Sequence, residues 1–307
     1  MVGMNGKARS VTIVGAGLIG SAIAWRLAQR GVRVTLCDAG SFGGETSSAG
    51  AGMLSPGGEF EGASVWRDLG MESMREYPAF VDELIAESGM PIDFAIVGCR
   101  KFPDDGGEPH DFHEDGYVDP TDLLRALRSV CAARGVKIIE NRHILSIQVS
   151  DDEPIVVAAG AWSNHIELLD GDRRIDLPAV RPIKGHLIGF DLELGTLETM
   201  LRRGHSYVLQ RANGFTIAGS TEEDVGFDRT IDLAICEDIH RRCAELWTPL
   251  KDGKPSKCWI GFRPFSQTPH IGRFENTNVW LAYGHFRNGI LLAPLTARRV
   301  ADEINGL

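Results

Sequence analysis

No apolar run in this 307-residue chain reaches the roughly 18 residues that a membrane-crossing helix needs, so no membrane partner is expected. Cysteine is sparse. The six residues, at 37, 99, 131, 236, 243 and 258, form no CxxC pair and no dense framework, which excludes a disulfide scaffold and fits reduced thiols. Basic residues are outnumbered, 32 Lys and Arg against 42 Asp and Glu, giving a formal net charge of −10. Such a surface repels phosphate backbones and excludes nucleic acid as the expected partner. Neither GxSxG nor HExxH occurs, which removes two common hydrolase signatures. Abundant instead are glycine, with 36 residues, and hydrophobic side chains, at 43%. That balance describes a folded globular protein rather than a disordered or fibrous one. The length suits two domains or one large α/β unit.

The N-terminus carries a decoy. Lys7 and Arg9 precede an apolar stretch from Val11 to Trp25, and Ala22-Ile23-Ala24 imitates a signal-peptide cleavage site. Gly15, Gly17 and Gly20 interrupt the stretch, and its pattern continues past Arg26. A strand, a glycine turn and a helix read better, and a cytoplasmic location is expected.

Val11 to Val14 is a β-branched run suited to a strand buried on both faces. The turn from Gly15 to Gly20 leads into a helix, Ile19 to Gln29, stopped by Gly31, and the next strand, Val32 to Cys37, ends at Asp38. Asp119 and Pro120 start another helix, with Leu123, Leu124, Leu127, Val130 and Cys131 as its apolar stripe. Strands at Val136 to Ile139 and Ile155 to Ala158 add parallel α/β material. The character then changes. Tyr207 to Gln210 and Phe215 to Ala218 flank an Asn213-Gly214 turn, a hairpin signal. A helix from Asp232 to Trp247 and a strand from Cys258 to Phe262 follow. The last segment returns to strand-turn-helix: Val279 to Tyr283, Gly284 to Gly289, then a helix to about Ile304.

The expected class is α/β (α+β overall): a Rossmann-like nucleotide domain with an inserted antiparallel-sheet substrate domain. The nucleotide domain is assigned 1–75, 116–170 and 272–307, and the substrate domain 76–115 and 171–271.

Gly15-x-Gly17-x-x-Gly20 between strand and helix fits the dinucleotide fingerprint. Its glycines permit a tight turn, close approach to a pyrophosphate, and packing of helix on strand. The anion would lie at the helix N-terminus. Asp38 follows at the spacing of about 20 residues where a carboxylate accepts from a ribose diol. The fingerprint alone does not separate FAD from NAD. Two further segments bear on that choice. Gly43 to Met53 is rich in glycine and hydroxyls, which let backbone and Oγ donors lie against pyrophosphate and an isoalloxazine ring. Gly284-His285-Phe286-Arg287-Asn288-Gly289-Ile290-Leu291-Leu292 opens the final helix and presents cationic and N–H donors to any anion the site develops. The stretch Pro109 to Asp115 holds metal-like residues, but no coordinating pattern follows and no metal is expected.

Together VGAGLIGSAIAWRLA, TSSAGAGMLSP, GYVDP, VVAAGAWS, RPIKGH, the Ser206-Tyr207 hairpin, WIGFRP…PHIG and GHFRNGILLAP resemble the D-amino-acid-oxidase-like flavoproteins over most of the chain. Within them the chain is most similar to the glycine oxidase branch associated with thiamine synthesis. The resemblance implies FAD held by Gly15, Gly17, Leu18, Ile19, Gly20, Asp38 and Ala39 at the ADP end. Thr46, Ser47, Ala51, Gly52 and Met53 would touch pyrophosphate and flavin. Gly160, His285, Arg287, Asn288, Gly289, Ile290 and Leu291 complete the implied cofactor set.

Arg263, with Tyr207, would bind the substrate carboxylate, with Met53, His205 and Arg287 nearby, and the catalytic set is Arg263, Tyr207 and Arg287. Covalently flavinylated relatives use a cysteine just after the WIGFRP-like strand. Phe262 to Ile271 contains none, so non-covalent FAD is expected. The implied reaction is oxidative deamination of glycine, sarcosine or a small D-amino acid to the 2-oxo acid, ammonia and hydrogen peroxide. Partners would then be a small amino acid and oxygen, with a homo-oligomer left open. The alternatives are a dehydrogenase with another electron acceptor, an NAD-dependent dehydrogenase, and a shortened flavin binder without catalysis. The chain is compressed relative to that family between Gly89 and Gly116, which should remove part of the substrate-domain sheet or its active-site cover, and between Ser146 and Pro154, which should trim a flavin-domain meander. Glu222 stands where some relatives place an apolar residue near the substrate.

Overall fold

A computed structural model describes residues 10–59, 64–150 and 153–306. Five parallel strands form one half of the main sheet, in spatial order Lys137–Ile139, Arg33–Cys37, Ser10–Val14, Ile155–Val157 and Val279–His285. Val11, Ile13, Val156 and Trp280 are fully buried on the face that the helices cover, while Val14, Val157, Val279 and Leu281 on the other face pack with Ile147 and Leu168 of a small three-stranded sheet. Leu18–Gln29 packs between Ala293–Asn305 and Pro120–Ala133, with Trp25 in the core beside Phe80. Asp119 caps Pro120–Ala133 by accepting the Thr121 N–H at 2.7 Å, and proline fills the first position, where its missing N–H costs nothing.

The sheet does not stop at these five strands. Lys257–Arg273 is one 17-residue strand, longer than the expected Cys258 to Phe262. Its first part pairs antiparallel with Arg181–Asp191 and its last part with Val279–His285, with an irregularity between Phe265 and His270. Pro264 does not end it, because Pro182 stands directly opposite. Two residues without N–H groups fit the kind of antiparallel pair that exchanges no hydrogen bonds. Beyond lie Phe215–Gly219, Ser206–Gln210, Met200–Arg203, Cys99–Lys101 and His110–Phe112, which complete a twelve-stranded sheet. Leu233–Leu246 packs on this antiparallel half, capped by Asp232.

The expected domain boundaries fall inside regular elements. The break at 271/272 lies within Lys257–Arg273, and the break at 75/76 within a 24-residue helix, Val65–Ser88. That helix buries Met74, Tyr77, Phe80, Val81 and Leu84 in the same core as Trp25. The compressed segment 89–116 keeps three short strands, Phe94–Ile96, Cys99–Lys101 and His110–Phe112. Near the second compression, Ser146–Gln148 survives as one edge of a three-stranded sheet.

Candidate active site

A cavity of about 510 Å³ extends from the ends of the parallel strands to the antiparallel sheet. At its nucleotide end the three fingerprint glycines have different jobs. Gly15 has φ +111°, and a Cβ there would meet the Ala158 carbonyl oxygen at 2.3 Å. Gly17 faces the cavity, with Ser47 Oγ only 3.0 Å from where its Cβ would be. Gly20 does not line the cavity; its missing Cβ makes room for the Gly15 carbonyl, which would stand at 1.9 Å, so helix and turn touch.

Asp38 is held before any ligand arrives. One carboxylate oxygen accepts the Ala16 N–H at 2.7 Å and the other accepts the Gly40 N–H at 2.8 Å. Lone pairs remain for a diol. Ser47 Oγ accepts the Leu18 N–H at 2.9 Å, and the Thr46 hydroxyl donates to the Phe262 carbonyl at 2.7 Å, tying this loop to the first helix and the long strand.

Small residues then make a smooth wall. Ala49, Gly50, Ala51, Gly52 and Gly261 line it, and the Trp259 indole N–H donates to the Ala49 carbonyl at 2.9 Å. A Cβ on Gly52 (φ +92°) would sit 1.9 Å from the Val118 carbonyl oxygen. Together with the Gly15–Gly17 turn, these Cβ-free surfaces fit the shape and the anionic linker of FAD. Leu18, Ile19, Ala39, Met53 and Gly160 also reach the cavity.

The far end is built from charge. Arg263 lies half-buried on Lys257–Arg273, between the buried Phe262 and Pro264. Its Nη1 donates to the Thr221 carbonyl at 2.8 Å and its Nη2 to Ser220 Oγ at 3.0 Å. Burial lowers the guanidinium pKa, but the group stays cationic. Among the described residues no carboxylate comes within ion-pairing distance of it. Tyr207 faces the same space, its phenol pushed up to about 12 by burial. The other two arginines there are paired. Arg202 Nη1 lies 3.3 Å from Glu59, and Arg287 Nη1 donates to Glu222 Oε1 at 2.7 Å. His205 is two-thirds exposed at the mouth, 3.7 Å from Glu222.

The C-terminal segment departs from expectation. Gly284 (φ +80°) and Phe286 (φ +48°) turn the chain into a short 3₁₀ turn, Phe286–Asn288, and the helix begins only at Ala293, with Pro294 in its first turn. Proline suits a helix start, which places that start beyond Leu292. His285, Arg287, Gly289 and Ile290 line the cavity. Asn288 and Leu291 are buried without lining it. His285 Nε2 lies 3.0 Å from Thr296 Oγ1, and burial drives its pKa down to about 3, so the ring is neutral.

Glu59, Arg202, Gly185 and Ser220 belong to this site but were not singled out in the sequence. Gly185 alone had a local signal, as the glycine in RPIKGH. Glu59 and Arg202 reach the cavity from a turn and a strand with no pattern of their own.

Glycine cradle, preset acidic residue and a half-buried cation without a carboxylate partner, all facing one cavity, fit an oxidoreductase that binds a dinucleotide. Residues 10–110 and 99–303 match the DAO family, FAD dependent oxidoreductase, and the chain belongs to that family. It is similar to glycine oxidase of Bacillus subtilis (strain 168), 28% identical over 95% of this chain and 92% of that protein. Glycine oxidase of Pseudomonas aeruginosa is 29% identical, over 96% of this chain and 94% of that protein. The bifunctional protein ThiO/ThiG of Trichormus variabilis is 28% identical, with 96% of this chain matching 52% of that protein. The crystal structure of glycine oxidase from Geobacillus kaustophilus superimposes with a TM-score of 0.87 and 25% identity, covering 97% of this chain and 95% of the other. The Bacillus subtilis alignment runs over 339 residues against a chain of 307, so that relative carries segments with no counterpart here.

Proposed function

We propose that the protein oxidises glycine or a similarly small amino acid to the 2-oxo acid, releasing ammonia and passing electrons to oxygen to give hydrogen peroxide. The observation that carries this reading is Arg263, a half-buried guanidinium without a carboxylate partner among the described residues, facing the cavity opposite the glycine cradle. A planar fork of donors matches a substrate carboxylate. The cofactor, bound without a covalent link, supplies the electron sink.

The chain's own residues orient the substrate. Arg263 takes the carboxylate, and the Tyr207 hydroxyl, protonated at neutral pH, donates beside it. The Thr221 carbonyl and Ser220 hydroxyl fix the guanidinium plane, so the direction of the bound molecule is set in advance. Gly15, Gly17, Leu18, Ile19, Asp38, Ala39, Thr46, Ser47 and Gly160 would hold the cofactor. The two halves of the sheet would act as flavin and substrate lobes, in a cytoplasmic enzyme of thiamine biosynthesis like its ThiO/ThiG relatives.

An anaerobic screen of small amino acids, following bleaching of the flavin, tests the reading. Glycine or a close analogue should bleach it, and repeating the reaction in air should yield peroxide. Absence of bleaching across glycine, sarcosine and small D-amino acids sinks it.

A further inference from the structure

The substrate end of the cavity holds three arginines, Arg202, Arg263 and Arg287, and two carboxylates, Glu59 and Glu222, at its edge. How they pair decides what charge a ligand can bring. Glu59 Oε2 serves Arg202 at 3.3 Å. Its other oxygen lies 2.8 Å from Arg287 Nε, yet neither atom has a hydrogen bond, so the contact is badly aligned. The hydrogen-bonded partner of Arg287 is Glu222, through Nη1 at 2.7 Å. Both side chains are about a quarter exposed, at 27% and 29%. The pair therefore stands where the cavity meets solvent and links the segment after strand Phe215–Gly219 to the 3₁₀ turn Phe286–Asn288. Glu222 and Arg287 both lie close enough to perturb Arg263 electrostatically.

We propose that Glu222 is a specificity-determining residue that restricts the site to ligands with one negative charge. It occupies the outer face of Arg287 and leaves Arg263 as the single cation open to an incoming carboxylate. This rests on the reading of Arg263 as the carboxylate anchor. A monoanion neutralises that cation. A ligand with a second carboxylate must place it near Arg287, where Glu222 already holds the donor and repels the newcomer. Without the Glu222 charge, Arg287 keeps only the misaligned Glu59 and becomes a second anion-binding donor. The native site thus fits small neutral-side-chain amino acids and disfavours aminodicarboxylates. Glu222 sets this preference by charge, since a glutamate at the mouth blocks little volume.

The experiment compares acetate with malonate as ligands of the holoprotein, with binding read from the shift of the flavin absorption band. In parallel, kcat/KM is measured for glycine and for iminodiacetate. Glu222→Gln keeps the shape and removes the charge. It should tighten malonate binding by about fivefold, the upper end for a solvent-facing charge pair, and change acetate binding far less. The iminodiacetate-to-glycine ratio of kcat/KM should rise in step. Glu222→Asp, which retains the charge, should keep the native preference. Equal effects of Glu222→Gln on both ligands, or no effect on either, overturn the proposal. The binding comparison needs no turnover. If no amino acid bleaches the flavin, the proposed reaction fails while the charge preference is still read.

Discussion

Gly185 lies diagonally across neighbouring strands from Arg263, and the close approach of the guanidinium explains why position 185 has no side chain. A Cβ there would lie 2.1 Å from Arg263 Nη1. Gly185→Ala should therefore displace the guanidinium while the strand itself persists, lowering kcat/KM at least about tenfold with little change in the circular dichroism spectrum. Arg263→Lys tests the same site from the other side. Lysine keeps the charge but loses the paired donors, and kcat/KM should fall by roughly 2–4 kcal/mol. A lysine variant of near-native activity would make Arg263 structural. His285 carries a stability prediction. Its pKa drops from the ordinary 6.5 to about 3, because burial penalises the imidazolium and His270 adds a smaller repulsion. Above pH 6.5 the ring is neutral in both folded and unfolded chains and contributes no pH dependence. Between 6.5 and 3 the unfolded chain binds a proton that the native one does not, so stability falls by up to about 1.4 kcal/mol per pH unit. Urea unfolding of the protein and of His285→Gln at pH 7 and pH 5.5 should show the stability gap narrowing by about 1 kcal/mol at the lower pH. An unchanged gap would mean that His285 does not titrate as its burial implies.

At the level of elements, the turn Pro56–Glu59 delivers Glu59 to the cavity and is held by one buried carboxylate. Asp115 accepts the Gly57 N–H at 3.1 Å, the Gly58 N–H at 3.0 Å and the Ser55 hydroxyl. Asp115→Ala leaves these donors buried without partners and should cost about 2–3 kcal/mol in urea unfolding. Asp115→Asn, whose amide oxygen still accepts, should recover much of that loss. Asp115 ends the compressed segment 89–116, and nothing local announces its role. The readable elements were those whose signal is local. The strand-turn-helix at Val11 to Gln29, the capped helix after Asp119 and the Asn213-Gly214 hairpin each carry their own start and stop residues, and each folds within a few residues of its expected place. The helix Val65–Ser88 is masked in the sequence, because Gly70 and Pro78 punctuate the helical stripe that Gly70, Ser73, Met74, Tyr77, Phe80, Val81 and Leu84 make. Tertiary packing on the nucleotide core outweighs those breaks. Strands such as Cys99–Lys101 and Met200–Arg203 are three or four residues long and exist only by pairing with remote partners. The glycine cradle of the cavity was legible for the same reason as the first helix, since Gly15, Gly17 and Gly20 fall within six residues. The charge network at the substrate end joins residues 59, 202, 222 and 287, which only the completed sheet brings together.

Across the whole molecule, one cavity draws its walls from both halves of a single sheet. Gly15, Asp38 and Ser47 lie on the nucleotide side, Tyr207 and Ser220 on the antiparallel side, and Arg263 on the strand that passes from one to the other. A ligand filling that cavity must stabilise both halves together. No cysteine lines it, and five of the six are buried elsewhere. Flavin bound there should therefore separate from the protein in acid, remaining in the supernatant while the washed pellet is colourless. Yellow colour retained in the pellet would show a covalent link. The same reversibility makes stability depend on free FAD. At a concentration 100 times Kd the ligand contributes about 2.7 kcal/mol, which for a chain of this size is a rise of about 4 °C in Tm. Because strand Lys257–Arg273 belongs to both halves, that rise should appear as one transition, at the same temperature by circular dichroism and by tryptophan fluorescence. Trp25 and Trp280 report from the nucleotide core, and Trp247 and Trp259 from the antiparallel half. Two separated transitions, only one of them moving with FAD, would show that the shared strand does not couple the halves and that the cofactor leans on one of them alone.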